Sequence, residues 1–241
     1  MQPTIALIGG TGLSRLDALE VERRQIVVTP YGEPSAPLTF GRFDGLPMVF
    51  LPRHGEGHTI PPHKVNYRAN LWALQSVGIS DVVSVASVGG ITQPPETLCV
   101  PDQIIDYTWG REHTYVECGD QPIRHVDFTE PYCQALRRRL LDAAAAAGVA
   151  VIDGGTYGAT QGPRLESAAE IRRLKNDGCD LVGMTGMPEA ALARELGLCF
   201  AHLNLVVNWA AGLSDEPISM EGIQQVLQRS IDAIRQILGH L

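Results

Sequence analysis

Six short apolar runs, each ending in small, glycine-rich or polar residues and alternating with segments of helical spacing, constrain this chain more than any other feature. The runs at 4–8, 48–51, 81–85, 149–152, 181–184 and 199–207 are apolar on both faces and read as buried strands. The segments 65–76, 131–147, 166–176, 188–196 and 219–238 read as helices. In the last of these, Ile223, Val226, Leu227, Ile231, Ile234 and Leu238 form one apolar stripe. Strands alternating with helices imply a mostly parallel sheet covered on both faces. A chain of 241 residues with 44% hydrophobic content can bury one sizeable core, so a single α/β domain over residues 1–241 is expected. In such sheets ligands collect at the carboxyl ends of strands, and the residues that follow each run are the ones to read for chemistry.

Composition narrows the chemistry. A net charge of −8 disfavours a nucleic-acid backbone or an anionic membrane as partner, so any anion site must be built locally. No apolar run reaches the length of a membrane span, and MQPTIALIGG lacks the basic start and apolar stretch of a signal peptide. Cys99, Cys118, Cys133, Cys179 and Cys199 are odd in number and show no CxxC spacing. That pattern predicts reduced, buried thiols and no metal site, in a soluble cytoplasmic protein.

Four strand ends carry groups that suit a phosphate. Gly9-Gly10-Thr11-Gly12 lets backbone N–H groups curl around an anion, and Thr11 adds a hydroxyl. Read alone, GGTG is also half of a dinucleotide-binding turn, but the full GxGxxG is missing and a nicotinamide-dependent oxidoreductase is disfavoured. Arg53 offers a planar fork of donors, and His54 can donate from one ring nitrogen. Truncating Arg53 is expected to weaken phosphate binding and spare the fold. Ala86 and Ser87 lie in a small-residue run with Gly89 and Gly90, and Thr185 precedes the helix opened by Pro188 and Glu189.

The blocks IALIGGTGL (5–13), RHGEGHTIPPHKVNYRANLWAL (53–74), PDQIIDYTWGREHTY (101–115), GATQGPRLES (158–167) and GMTGMPEAALARELG (183–197) span most of the chain. Together they resemble the trimeric purine nucleoside and methylthioadenosine phosphorylase family. The resemblance implies the nucleoside phosphorylase fold, with a mixed, mostly parallel central sheet, a homotrimer, and phosphorolysis at C1′ with neither metal nor organic cofactor, inorganic phosphate being the co-substrate. It places phosphate on Thr11, Arg53, His54, Ala86, Ser87 and Thr185, the ribose over Met184, and the base on Glu166 and Asn208, with Ala210 a further substrate contact. His125 would be lent to a neighbouring subunit's 5′ pocket.

Two positions divide that family by base, and both match its 6-oxopurine members. Glu166 follows GPRL, where adenine-specific members have Ser, and Asn208 stands where they have Asp. The chemistry agrees, because an ionised Glu166 accepts from N1–H of hypoxanthine but faces a lone pair on N1 of adenine. Asn208 can accept from N7–H and donate to O6. Mismatched buried polar groups cost about 1–3 kcal/mol each. On the sugar side the family alignment sets Met220, a soft apolar surface, where 5′-hydroxyl riboside enzymes have His. An oxopurine base site with a methylthio sugar site predicts 5′-methylthioinosine as substrate. The alternatives are a general inosine/guanosine phosphorylase, then a methylthioadenosine phosphorylase.

Overall fold

In the computed structural model, residues 5–11, 18–117, 119 and 123–241 are described. Thr4, Gly12 and Cys118, which entered the sequence reading, lie outside them. The expected strands form at Ile5–Gly9 (β1), Leu46–Pro52 (β4), Asp81–Gly90 (β5), Val151–Asp153 (β8), Leu181–Gly183 (β10) and Cys199–Trp209 (β11). Five further strands carry weak local signals. They are Glu20–Gln25 (β2), Leu38–Phe43 (β3), Leu98–Val100 (β6), Gln103–Asp106 (β7) and Thr156–Ala159 (β9). The helices are Tyr67–Ser76 (α1), Gln134–Ala146 (α2), Ala168–Asn176 (α3), Gly186–Glu195 (α4) and Met220–Gly239 (α5).

Alternation within the central strands explains the layering. Ala6 and Ile8 of β1 face a core shared with Leu71 and Leu74 of α1 and Ala190 and Ala193 of α4. Ile5 and Leu7 face the opposite core, closed by Leu136 and Leu140 of α2 and by Val226, Leu227 and Ile234 of α5. One sheet is thus buried between two helical layers, as its two-sided apolar strands require. The sheet is mixed. β1 pairs in parallel with β4 and β5, while β3 is antiparallel to β2 and β4.

β5 organises the molecule. One edge pairs with β11 along its whole length. The other edge pairs in parallel with β1 through Ser84, and then antiparallel with β10 at Gly89 and Gly90. Between those two pairings residues 85–88 have no strand partner on that edge among the described residues, so their backbone groups are left for something else. This is a topological switch point, where α/β sheets place their ligands. The run Ala86 to Gly90, read from sequence as following the strand, is instead the second half of β5, held extended by β11.

One expectation is overturned. Cys133 and Cys199 form a disulfide, with Cα atoms 5.1 Å apart, instead of standing as reduced thiols. The Cys133 N–H donates to the Phe200 carbonyl, which brings the start of α2 beside the start of β11. Sixty-six residues separate the two cysteines, so no local spacing could reveal the pair. Cys99 and Cys179 are free and buried. Among the described residues no helix is long and apolar enough to cross a membrane, and no cluster of His, Cys, Asp or Glu is placed to hold a metal.

Candidate active site

A cavity of about 360 Å³ opens at the switch point, with Thr11, Ala86, Ser87 and Thr185 in its wall together with Arg53 and His54. Sequence had grouped these six residues through strand ends and the family resemblance, and the tertiary structure converges them in one place. Gly10 has a specific reason to be glycine. A Cβ there would lie 2.7 Å from Arg53 Nη1 and 2.8 Å from the Val85 carbonyl, so no side chain fits where the guanidinium passes.

Arg53, read from sequence as a strand-end donor to phosphate, is committed mostly to the protein itself. It is fully buried and paired with Glu189 of α4, which is 1% exposed. Its Nε and Nη2 donate to the two Glu189 oxygens, Nη2 also to Ser84 Oγ at 2.6 Å, and Nη1 to the Val85 carbonyl at 3.2 Å. Four of its five N–H groups are thus committed inside the protein, and one on Nη1 is left for the cavity. Burial opposes the Arg53 charge, but Glu189 more than offsets it and holds the guanidinium pKa above its ordinary value. Burial likewise pushes the Glu189 carboxyl up, yet Arg53 and His202 pull it below the usual carboxylate range. The expectation that Arg53 can be truncated without harm to the fold therefore fails, because truncation would strand a buried carboxylate.

His54 also differs from its sequence reading. Its Nδ1 lies 2.8 Å from the Ile60 carbonyl, which can only accept, so Nδ1 carries the hydrogen. Burial and the neighbouring Arg53 lower its pKa to about 4, and the ring is neutral at neutral pH. Nε2 is then an acceptor, and the one donor that sequence assigned to this ring is spent on Ile60.

Asn208, near the end of β11, and Glu166, just before α3, line the same cavity. A bulge between Val206 and Asn208 shifts the register, setting Asn208 opposite Gly89 after Val206 opposite Val88. Asn208 therefore leaves the face of Val206 and turns into the cavity. Its Nδ2 donates to the Trp209 carbonyl at 2.7 Å, which fixes the amide, because the flipped form would oppose two oxygens. Glu166 stands just before Ser167, the N-cap of α3. Ser167 and Glu170 form a reciprocal capping box, so the helix end is satisfied and the Glu166 carboxylate is released from that duty. Thr160 Oγ1 donates to Glu166 Oε1 at 2.6 Å and fixes its orientation.

Met184 and Ala210 line the same cavity, as do the apolar Ile218, Met220 and Ile223. Met220 opens α5 but is 63% exposed, so it is not a core residue of that helix. His125 is exposed and stands outside this wall. Sequence reasoning missed Thr160, Ser84 and Glu189. Thr160 and Glu189 both lay within quoted motifs, but Glu189 looked like an ordinary acidic residue in a first helical turn.

The cavity thus brings anion-suited groups together with an amide and a carboxylate. The sequence profile of the phosphorylase superfamily matches residues 4–241. A Xanthomonas campestris protein named probable S-methyl-5′-thioinosine phosphorylase is 50% identical over 240 residues, covering 98% of this chain and 96% of that one. The 6-oxopurine nucleoside phosphorylase of Pyrococcus furiosus is 43% identical over 245 residues, covering 98% and 91%. Among solved structures, methylthioadenosine phosphorylase from Schistosoma mansoni in complex with adenine superposes with a TM-score of 0.93 at 31% identity, covering 99% and 90%. A profile match over nearly the whole chain and relatives at this identity leave one conclusion: the chain belongs to the phosphorylase superfamily.

Proposed function

We propose that this enzyme cleaves 5′-methylthioinosine with inorganic phosphate, giving hypoxanthine and 5-methylthioribose 1-phosphate. The observation that carries the reading is the joint placement of Glu166 and Asn208 in a cavity also lined by the apolar Ile218, Met220 and Ile223. Asn208, with one N–H held by Trp209, keeps its Oδ1 and second N–H for a base. That pair complements N7–H and O6 of hypoxanthine, while Glu166 accepts from N1–H. The names of the Xanthomonas and Pyrococcus relatives support an oxopurine base, and the former supports the methylthio sugar.

In the reaction we infer, the C1′–N9 bond breaks with its electron pair passing into the purine, and the ribosyl ring gains oxocarbenium character. As charge develops the purine takes up a proton from water at N7; Asn208 then accepts from N7–H and donates to O6 more strongly, favouring the transition state over the substrate, while Glu166 fixes the base through N1–H. A phosphate oxygen captures C1′ from below. Thr11, Ser87 and Thr185 donate to the phosphate together with the remaining Arg53 N–H. His54 Nε2 accepts from the phosphate's own hydroxyl, which suits HPO4 2−. Phosphate is the nucleophile, so the step calls on no metal and no organic cofactor. Met184 underlies the ribose, and Ala210 packs beside the base. The working unit is a homotrimer in which His125 of each subunit reaches its neighbour's 5′ pocket and the exposed Met220 is covered. This reading replaces the oxidoreductase alternative drawn from GGTG.

The test is phosphate-dependent base release from 5′-methylthioinosine, inosine, 5′-methylthioadenosine and adenosine, side by side. Burying the S-methyl group contributes about 1–2 kcal/mol, and an unpaired 5′-hydroxyl costs about 1–3 kcal/mol. Methylthioinosine should therefore exceed inosine in kcat/KM by on the order of a hundredfold. Met220→His should narrow that ratio by supplying a donor. Equal efficiency on the two nucleosides would leave a general inosine/guanosine phosphorylase.

A further inference from the structure

Arg111, in the loop after β7, reaches two segments of the site without lining its cavity. Its Nε donates to Gln161 Oε1 at 3.2 Å, and Nη2 to the carbonyls of Thr160 and Gln161 at 3.2 and 2.8 Å. Its Nη1 donates to the carbonyls of Met184 and Met187 at 2.8 and 2.6 Å. A longer contact of 3.4 Å runs to the Tyr67 hydroxyl, which itself donates to the Pro62 carbonyl in the cavity wall. All its acceptors are uncharged, and no carboxylate pairs with it among the described residues. An arginine placed to neutralise a charge would have found an acid, as Arg53 finds Glu189.

The two segments have different duties. Thr160 orients Glu166, on the base side. Residues 184–187 include Met184 and Thr185, on the ribose and phosphate side. We propose that Arg111 is a positioning residue that locks the base half of the site to the ribose and phosphate half, fixing the gap that C1′ must cross. The planar guanidinium fork suits this, because it reaches two directions at once with fixed geometry. The proposal rests on the phosphorolysis reading only for which rates it changes, since the lock itself is a statement about two segments.

Two variants test it, Arg111→Met and Arg111→Lys, each with its melting temperature and folded fraction measured. The methionine variant should lose on the order of a hundredfold in kcat on methylthioinosine or inosine, the cost of an ångström-scale misplacement. KM should rise for both nucleoside and phosphate. Lysine keeps the charge, but its single nitrogen cannot serve both segments and should recover less than about a tenth of the lost rate. Backbone amide exchange, followed by mass spectrometry without turnover, should quicken in both 160–166 and 184–187. Because exchange needs no substrate, an enzyme inactive on every nucleoside would overturn the functional reading and still test the lock. Unchanged exchange in either segment would refute the proposal. So would a kcat within about threefold of wild type in folded Arg111→Met, or full rescue by lysine. If the methionine variant does not fold, the lysine variant carries the same two readouts.

Discussion

Removing Arg53 should cost stability before it costs phosphate binding, and the cost should depend on pH. Arg53 and Glu189 are 0% and 1% exposed, and they share two direct contacts and the bridging Ser84 hydroxyl. Arg53→Met keeps the stem's bulk but leaves Glu189 buried without its cation, a loss of about 3–5 kcal/mol. At roughly 2–4 °C per kcal/mol for a chain of this size, the melting temperature should fall by about 6–20 °C. In the wild type Glu189 is held below its ordinary pKa. Its stabilising contribution is therefore complete above the unfolded carboxylate pKa, and is lost only as pH falls through the depressed native value. In the variant burial acts with Arg53 gone, the native pKa moves above the ordinary value, and the charged carboxylate becomes the penalty. The deficit between wild type and variant should accordingly shrink from about pH 8 to about pH 5, as Glu189 takes up a proton. Glu189→Met alone should be comparably harmful, and the double methionine variant should cost much less than the two singles added together. Urea unfolding of the four proteins at both pH values measures this. A loss under about 1 kcal/mol for Arg53→Met, or a deficit independent of pH, would show that the pair is not what holds this part of the core.

Three further outcomes address the site. Thr160→Val should lower kcat/KM for oxopurine nucleosides about tenfold by freeing Glu166, with phosphate KM unchanged in initial-rate assays. Asn208→Asp sets a carboxylate against the Trp209 carbonyl that now receives the amide, so the acid form should be favoured and any activity should rise toward acidic pH. Combined with Glu166→Ser, it should shift the kcat/KM ratio toward adenine nucleosides, and no relative gain would show the donor–acceptor argument incomplete. Gly10→Ala forces a Cβ against Arg53 Nη1 and should raise phosphate KM with little change in nucleoside KM, which saturation kinetics resolve.

The local pattern determined the central strands, because two-sided burial demands continuous apolar residues and β1, β4, β5 and β11 have them. It determined α5 through a single apolar stripe at helical spacing, and its strand ends, together with the family resemblance, named the residues that meet in the cavity. It was silent on β2, whose EVERRQ is mostly exposed, and on the short strands β6, β7 and β9, whose hydrogen bonds come from partners and not from their own spacing. Only tertiary structure decided that β5 changes partner at residues 85–88, and that a bulge turns Asn208 out of the face of Val206. The same holds for side-chain charge. Arg53 meets a carboxylate 136 residues away, Cys133 meets Cys199, and Arg111 meets carbonyls 49 to 76 residues away. Periodicity reports which face of an element is buried. It carries no information on which distant polar group will share that burial, and burial is what turns a solvated arginine into a structural ion pair or a lock between two loops.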